Sequence, residues 1–351
     1  MRPVAVVSTA QRQEPELSGL TEVELMAPLI EKARSAVGLT QADIGFTCSG
    51  SSDFLAGQAF SFVMTLDAVG PVPPIAESHV EMDGAWALYE AWVKLQIGEI
   101  DTALVYSYGK SSPGSIRDVL ATQLDPYYVA PLWPDSWALG ALQARVLLEG
   151  GVVSERRMAE IAARSQSHAA GNANAVRAGT PTVDDLLDTA FVADPLRPHD
   201  CAATADGGVA VVLAADDRAG DLSDRPAWIR GIDHRIDAHH FGVRDLVAAP
   251  SAALAARHAG LGSDRVDIAE LHSPFTTSEH LLTDALGLDE AAVTINPSGG
   301  ALAGDTLMAS GLMRIAEVAD RISAGTADRG VAHASSGPWL QQNLVCVMGA
   351  D

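Results

Sequence analysis

Positive charge, cysteine and aromatic side chains are all scarce in this sequence. Lys and Arg number 23 against 45 Asp and Glu, a formal net charge of −22. That balance argues against nucleic acid and anionic membrane surfaces as partners. An anionic ligand would need a locally positive pocket or a basic partner. The three cysteines, Cys48, Cys201 and Cys346, have neither pairing nor metal-ligand spacing, so a reducing compartment is expected. All five tyrosines lie before residue 130. No apolar run reaches the roughly 18–20 residues needed to cross a bilayer. The N-terminus, Met1 to Val7, reads as an immediate strand rather than a secretory leader. A cytoplasmic protein is the expectation. A basic, Gly-rich phosphate cradle is also missing, with Lys110 and Arg197 isolated.

What is present is a well-cored chain. Hydrophobic residues make up 48% of its 351 residues and charged ones 19%, enough for one large domain or two ordinary ones. Strands are predicted at Val4–Val7, Asp43–Cys48, Thr102–Ser107 and Gly207–Ala214. Helices are predicted over about 22–37, 54–65, 85–97, 155–176 and 182–190. The stretch Glu77-Ser78-His79-Val80-Glu81-Met82-Asp83-Gly84 reads as the end of a loop feeding the helix from Ala85 to Ile97. Residues 110–150 read as a long irregular excursion carrying Pro113, Pro126, Pro131 and Pro134. Loops of that length are usually functional. The polar segment Asp216–Arg225 is the best boundary, dividing the chain into 1–220 and 221–351.

The second part repeats the grammar of the first. Gly84, Gly98 and Asp101 recur as Gly311, Gly325 and Asp328 at one constant offset, each time with a 13-residue helical run between the glycines and an apolar strand after the Asp. Gly38-Leu39 with Asp43-Ile44 is matched by Gly260-Leu261 with Asp267-Ile268. Two α/β halves, each a helix closed by Gly and followed by a buried strand, suggest a duplicated layered fold.

Several motifs resemble the thiolase superfamily, in its lipid-transfer-protein or sterol-carrier-type branch. Gly84-Ala85-Trp86-Ala87-Leu88 resembles the helix after the family's nucleophilic cysteine. Pro195 to Cys201 and Asp206-Gly207-Gly208-Val209 resemble the segment leading to its central strand. Glu270-Leu271-His272-Ser273-Pro274-Phe275 resembles the ELHDCF motif. Asn296-Pro297-Ser298-Gly299-Gly300, with Gly304-Asp305-Thr306 and Ser310-Gly311, resembles the family's NPSGG and GHP run. The resemblance implies a five-layered αβαβα fold of two duplicated halves, usually a homodimer. Aligned on Gly84, the nucleophilic cysteine falls on Glu81. The cysteine of the HDCF motif falls on Pro274, and the histidine of GHP on Asp305. Thiolytic acyl transfer needs a thiolate, so an ordinary acetyl-CoA acetyltransferase is disfavoured.

The branch also contains aldolases of sterol and bile-acid side-chain breakdown, which need proton transfer and no covalent nucleophile. The resemblance thus implies a carbon–carbon lyase acting on a β-hydroxyacyl-CoA with a steroid-like acyl group, and an OB-fold DUF35 partner. The assembly would be a homodimer or a heteromer with another thiolase-like chain. No cofactor or metal is expected, acyl-CoA being the substrate. His272, Glu81 and Asp305 are the catalytic candidates. Asn296, Gly299, Gly300, His79, His333 and Trp339 are the substrate-binding ones. Glu81 should point into the pocket as a general base, and Asp83 reads as an N-cap. The tyrosines such aldolases use fall here on His272 and Trp339. Each candidate also has a structural reading: a packed histidine, a turn Asn before Pro297, or glycines for a tight turn. A non-catalytic thiolase-like scaffold or lipid carrier is the competing expectation.

Overall fold

The computed structural model describes residues 2–262 and 264–350. Its ten strands are β1 Val4–Glu14, β2 Phe46–Gly50, β3 Glu77–Val80, β4 Thr102–Gly109, β5 Asp206–Ala215, β6 Ala227–Ile236, β7 Ile268–Leu271, β8 Thr294–Ile295, β9 Arg329–Ser336 and β10 Gln342–Gly349. They lie side by side in the order β3-β2-β4-β5-β1-β6-β10-β9-β7-β8. From the middle outwards, the two directions read alike. β1 pairs antiparallel with β5 and β5 antiparallel with β4; β4 and β2, then β2 and β3, are parallel. The run β6-β10-β9-β7-β8 has the same sequence of senses. The two five-stranded halves meet where Ala5 pairs with Trp228 and Val6 with Ala227.

Alternation along the strands sorts the side chains into layers. Val209, Val211 and Leu213 of β5 face a central layer, as do Leu344, Cys346 and Met348 of β10. That layer holds two helices, Gly84–Gln96 and Ser310–Ser323, whose Ala85, Leu88, Leu312 and Ile315 are buried between the halves. Ala210, Val212 and Ala214 face outward onto the helix Glu22–Ser35. Val345 and Val347 face outward onto the helices Pro250–His258 and Thr276–Ala285. Outer helices, half-sheet, central helices, half-sheet and outer helices make five layers, the duplicated α/β arrangement expected from the sequence. Gly98 (φ 74°) and Gly325 (φ 71°) both take the left-handed backbone that ends their helices.

Other expectations change. Glu77–Val80 is a strand, pairing in parallel with Thr47–Gly50; its polar composition hides a strand that β2 imposes. The helix expected over 54–65 breaks into Asp53–Ala56 and Val63–Val69. Both Asp53 carboxylate oxygens accept from the Phe60 and Ser61 N–H groups, which turns the chain there. The 110–150 excursion is not wholly irregular: Asp135 caps a 14-residue helix, Ser136–Glu149. The Asp216–Arg225 linker contains the short helix Asp216–Leu222. The helix expected to reach 176 stops at Ala169, and that over 182–190 shrinks to Val183–Leu187. Among the described residues no helix is long and apolar enough to cross a membrane.

Candidate active site

The two central helices start close together, and their N-termini meet on one carboxylate. Asp83 caps its own helix by accepting from Ala85 N–H (2.8 Å) and also accepts from Gly311 (2.7 Å) and Leu312 (3.0 Å) of the other. Only 1% of it is exposed. The approach demands glycine: a Cβ on Gly311 would collide with Ala334 and lie 2.5 Å from Asp83 Oδ1, and one on Gly84 would collide with Leu312 and with Ser107 (2.5 Å). Burial pushes the Asp83 carboxyl up to about 6, while the charge of His272 and the three N–H groups hold it from rising further.

His272 follows β7 and has the parity of Ile268 and Glu270, so it points toward the central layer. It is 6% exposed. Its Nε2 is 3.5 Å from Asp305 Oδ1. Ser335 N–H approaches Nδ1 at 3.3 Å, Ser335 Oγ lies 3.5 Å from the same nitrogen, and that hydroxyl donates to His272 O at 3.0 Å. The Ser335 N–H selects the neutral tautomer with its proton on Nε2, facing Asp305. When the ring gains a second proton, the Ser335 hydroxyl oxygen is the nearby acceptor for Nδ1–H. Both charge states therefore have a partner. Burial opposes the imidazolium, but the Asp305 hydrogen bond and the charges of Asp305 and Asp83 outweigh it; Arg314 pulls the other way. The net result is a proton affinity above that of an ordinary histidine.

Asp305 sits in the loop before the second central helix. Its Oδ1 accepts from Ser310 Oγ (2.5 Å) and Leu307 N–H (2.9 Å) as well as facing His272. Burial would raise its carboxyl, but His272, Ser310 and Leu307 hold it below the usual carboxylate range. Its Oδ2 has no hydrogen bond among the described residues, which leaves one oxygen for a reacting group. The backbone turns sharply on either side of this loop: Asn296 (φ 47°) and Leu307 (φ 56°) are both left-handed non-glycine residues, a strain that collects at functional sites. Beside it, Leu307 and Met308 wall a cavity of about 270 Å³ with Tyr108, Lys110 and Val119.

His272 and Asp305 are thus brought together, and Asn296 supports them. Its Oδ1 accepts from Leu271 N–H (2.6 Å) and its Nδ2 donates to buried Glu279 (2.5 Å). This fixes the end of β7 one residue before His272. Gly299 (φ 96°) and Gly300 (φ 63°) make close backbone contacts. A Cβ on Gly299 would lie 2.7 Å from that of Ala169, and one on Gly300 2.7 Å from the Asn296 amide. The buried ion pair of Arg314 with Glu270 (2.8 Å), shared with Ser298, ties the same loop to the second central helix.

The other candidates lie elsewhere. Glu81 does not turn toward His272. Its carboxylate, 51% exposed, accepts from Asp53 N–H at 2.7 and 3.0 Å and so caps the short Asp53–Ala56 helix. His79 stands 3.4 Å from Glu81 and 3.2 Å from Ser49 Oγ, stacked on Phe62. The oxygens of Asp53 and Glu81 are occupied by backbone N–H groups, so this cluster reads as interlocking caps rather than a metal centre. His333 has the parity of Val331 and faces the opposite side of the sheet from His272; it hydrogen-bonds Asn343 (2.9 Å), and burial lowers it to about 3. Trp339 spends its indole N–H on Leu139 O (2.7 Å) and packs on Phe241, pinning the β9–β10 turn to Ser136–Glu149. Sequence reasoning did not single out Ser335 or Ser310. The helix–Gly repeat places Ser310 at the position of Asp83, a signal that could have revealed it. All three cysteines are buried, and burial pushes each thiol up to about 12, so none is a ready thiolate nucleophile.

The fold is of the thiolase type, and all three cysteines are buried. No family model matches the sequence. The chain is 26% identical to the acetyl-CoA acetyltransferase of Methanothermobacter thermautotrophicus over 91% of this chain and 90% of that one. It is 24% identical to the 17-hydroxy-3-oxo-4-pregnene-20-carboxyl-CoA lyase of Mycobacterium tuberculosis over 64% of this chain and 61% of the lyase. Among solved structures, the Ltp2-ChsH2(DUF35) aldolase superposes with a TM-score of 0.84 at 19% identity, covering 99% of this chain and 98% of that one. Human mitochondrial 3-ketoacyl-CoA thiolase gives 0.77 at 18%, covering 99% of each. The chain is thus similar to thiolase-superfamily proteins along most of its length and shares their fold.

Proposed function

We propose that the chain is the catalytic subunit of an acyl-CoA retro-aldolase, a carbon–carbon lyase that cleaves a β-hydroxyacyl-CoA bearing a steroid-like acyl group. The observation that carries this reading is the buried His272–Asp305 pair in a thiolase-type fold whose cysteines are all inert. In this reading the free Oδ2 of Asp305 takes the β-hydroxyl proton. The Cα–Cβ bond breaks, and its electron pair passes into the thioester enolate, whose oxygen His272 stabilises by donating from Nε2. The proton held on Asp305 then passes to Cα, which restores the carboxylate and releases a shortened acyl-CoA, while the other fragment leaves as a ketone or aldehyde. The cavity behind Leu307 and Met308 offers apolar wall to the acyl part. The lyase and aldolase relatives support this class.

The reading includes a DUF35 partner, as in the Ltp2-ChsH2(DUF35) structure. In this chain Lys110 is held by Glu22 and Leu20 O, and Arg197 by Glu155, so a second chain supplies the charge that binds CoA phosphates. Assembly is a homodimer or a heteromer with another thiolase-like chain, in the cytoplasm. Co-expression with a DUF35 protein, followed by an assay for ketone or aldehyde release from β-hydroxyacyl-CoA thioesters, tests it. Turnover is expected, and His272→Ala should lose at least about 100-fold. An unchanged rate in His272→Ala would sink the assignment. A second reading, a non-catalytic scaffold subunit, is favoured by the commitment of Trp339 to Leu139 O at a position where the resemblance to aldolases leads one to expect a tyrosine. It prevails if assembled complexes show no turnover.

A further inference from the structure

The first turn of the helix Ser310–Ser323 holds two carboxylates at once. Ser310 Oγ binds Asp305, and the next two N–H groups, of Gly311 and Leu312, bind Asp83. His272 faces the same turn. Asp83 reaches across from the other half of the molecule, where it also caps Gly84–Gln96. A helix cap needs one acceptor and sits well at a wet surface. This acceptor is fully buried, serves two helices, and lies where its charge is felt at His272. A buried carboxylate costs stability unless its charge is used. An uncharged Ser or Thr would cap either helix.

We propose that Asp83 is a positioning residue of the His272–Asp305 site: from the other half of the molecule it locks the first turn of the second central helix, and with it Ser310 and Asp305 beside His272. This rests on the reading of His272 and Asp305 as the proton-transfer pair. The charged and titratable groups around His272 are Asp305 on the loop, Asp83 from the first half, Arg314 on the second central helix and His333 across β9. Glu270 on β7 is neutralised by Arg314. Removing Asp83 therefore takes away one of the two carboxylate charges that favour the imidazolium, leaving Asp305. The coupling is reciprocal, because a charge that favours protonation of one group must favour ionisation of the other.

The test is the titration of His272 Cε1 in isotopically labelled full-length protein, followed by NMR in wild type and Asp83→Asn. The midpoint in Asp83→Asn should fall below that of wild type, a weaker hold on the proton. A midpoint unchanged in a folded variant overturns the proposal, since a merely structural cap would not move it. If Asp83→Asn does not fold, the reverse arm decides. Labelled Asp83 in His272→Gln should titrate above its midpoint in wild type, because the His272 charge holds it down, and an unmoved midpoint overturns the proposal equally. Neither readout uses turnover. A failed aldolase assay with shifted midpoints removes the proposed reaction and keeps the coupling; the converse does the opposite.

Discussion

The two halves build the same cradle and furnish it differently. In each, a central helix starts against a strand end through a glycine that admits no Cβ, Gly84 on Ser107 and Gly311 on Ala334. In the first half the residues before that glycine are Glu81, Met82 and Asp83; in the second they are Met308, Ala309 and Ser310. Glu81 faces outward onto the Asp53–Ala56 helix, and Met308 walls a cavity. Asp83 binds across the junction to the second helix, whereas Ser310, at the equivalent position, stays within its own half and donates to Asp305. The superfamily's nucleophile position lies in the first half. Under the proposed function the reactive groups, His272 and Asp305, come from loops of the second. The first half contributes Asp83. Duplication thus gave two helix N-termini able to hold anions, and the proposed function uses the second.

The comparison can be broken most sharply at the second half. Asp305→Asn, which keeps size and removes the base, should lower turnover of the complex by about 100-fold or more, measured as product release under saturating substrate. A loss of similar size in Glu81→Gln would return the chemistry to the first half. Next comes the charge between the halves. The Asp83 carboxyl stands near 6 in the folded protein against 3.8 for the free group. The native state therefore binds this proton between about pH 4 and 6 while the unfolded chain does not. Its contribution to stability falls as pH rises through that window, by about 3 kcal/mol in all. Thermal melts from pH 4 to 7 should show this slope in wild type and its loss in Asp83→Asn.

Gly311→Ala should cost about 1–3 kcal/mol, from overpacking against Ala334 and Asp83. Gly84→Ala should cost as much if the halves are mechanically equivalent. Urea unfolding of both variants measures the symmetry. The smallest effect belongs to Glu81→Gln, which weakens a partly exposed cap and should change stability by about 1 kcal/mol or less. Under the proposed function, its rate stays within a few-fold of wild type.

The sequence made the duplication legible because a helix, a glycine and a buried strand repeat at one spacing, and layered packing follows from that pattern. Strand β3 was not legible. Glu77-Ser78-His79-Val80 has no apolar alternation, and its extended form comes from pairing with β2. The helix Ser136–Glu149 was masked by the prolines and aromatic residues before it. In the site, the pairing of His272 with Asp305 is a tertiary fact between residues in separate loops, and only the motif resemblance pointed to it. Asp83 was readable as a cap for its own helix, but nothing local says that it caps a second. Glu81 went elsewhere because a nearer helix N-terminus, at Asp53, competes for its carboxylate.

The pairing of β1 with β5 also has a consequence in time. Val4 meets Ala215 and Glu14 meets Asp206, so the first strand made is completed by one roughly 190 residues later, which at about 5–20 residues per second is some 10–40 s of synthesis. Until then β1 has no native strand beside it, because its other partner, β6, comes later still. Of the five strands in the first half, only β2, β3 and β4 can pair natively before β5 leaves the ribosome. The order of synthesis therefore makes β5 the strand that closes the first half. A chain truncated before Asp206 should be held by chaperones or aggregate rather than fold as half a protein.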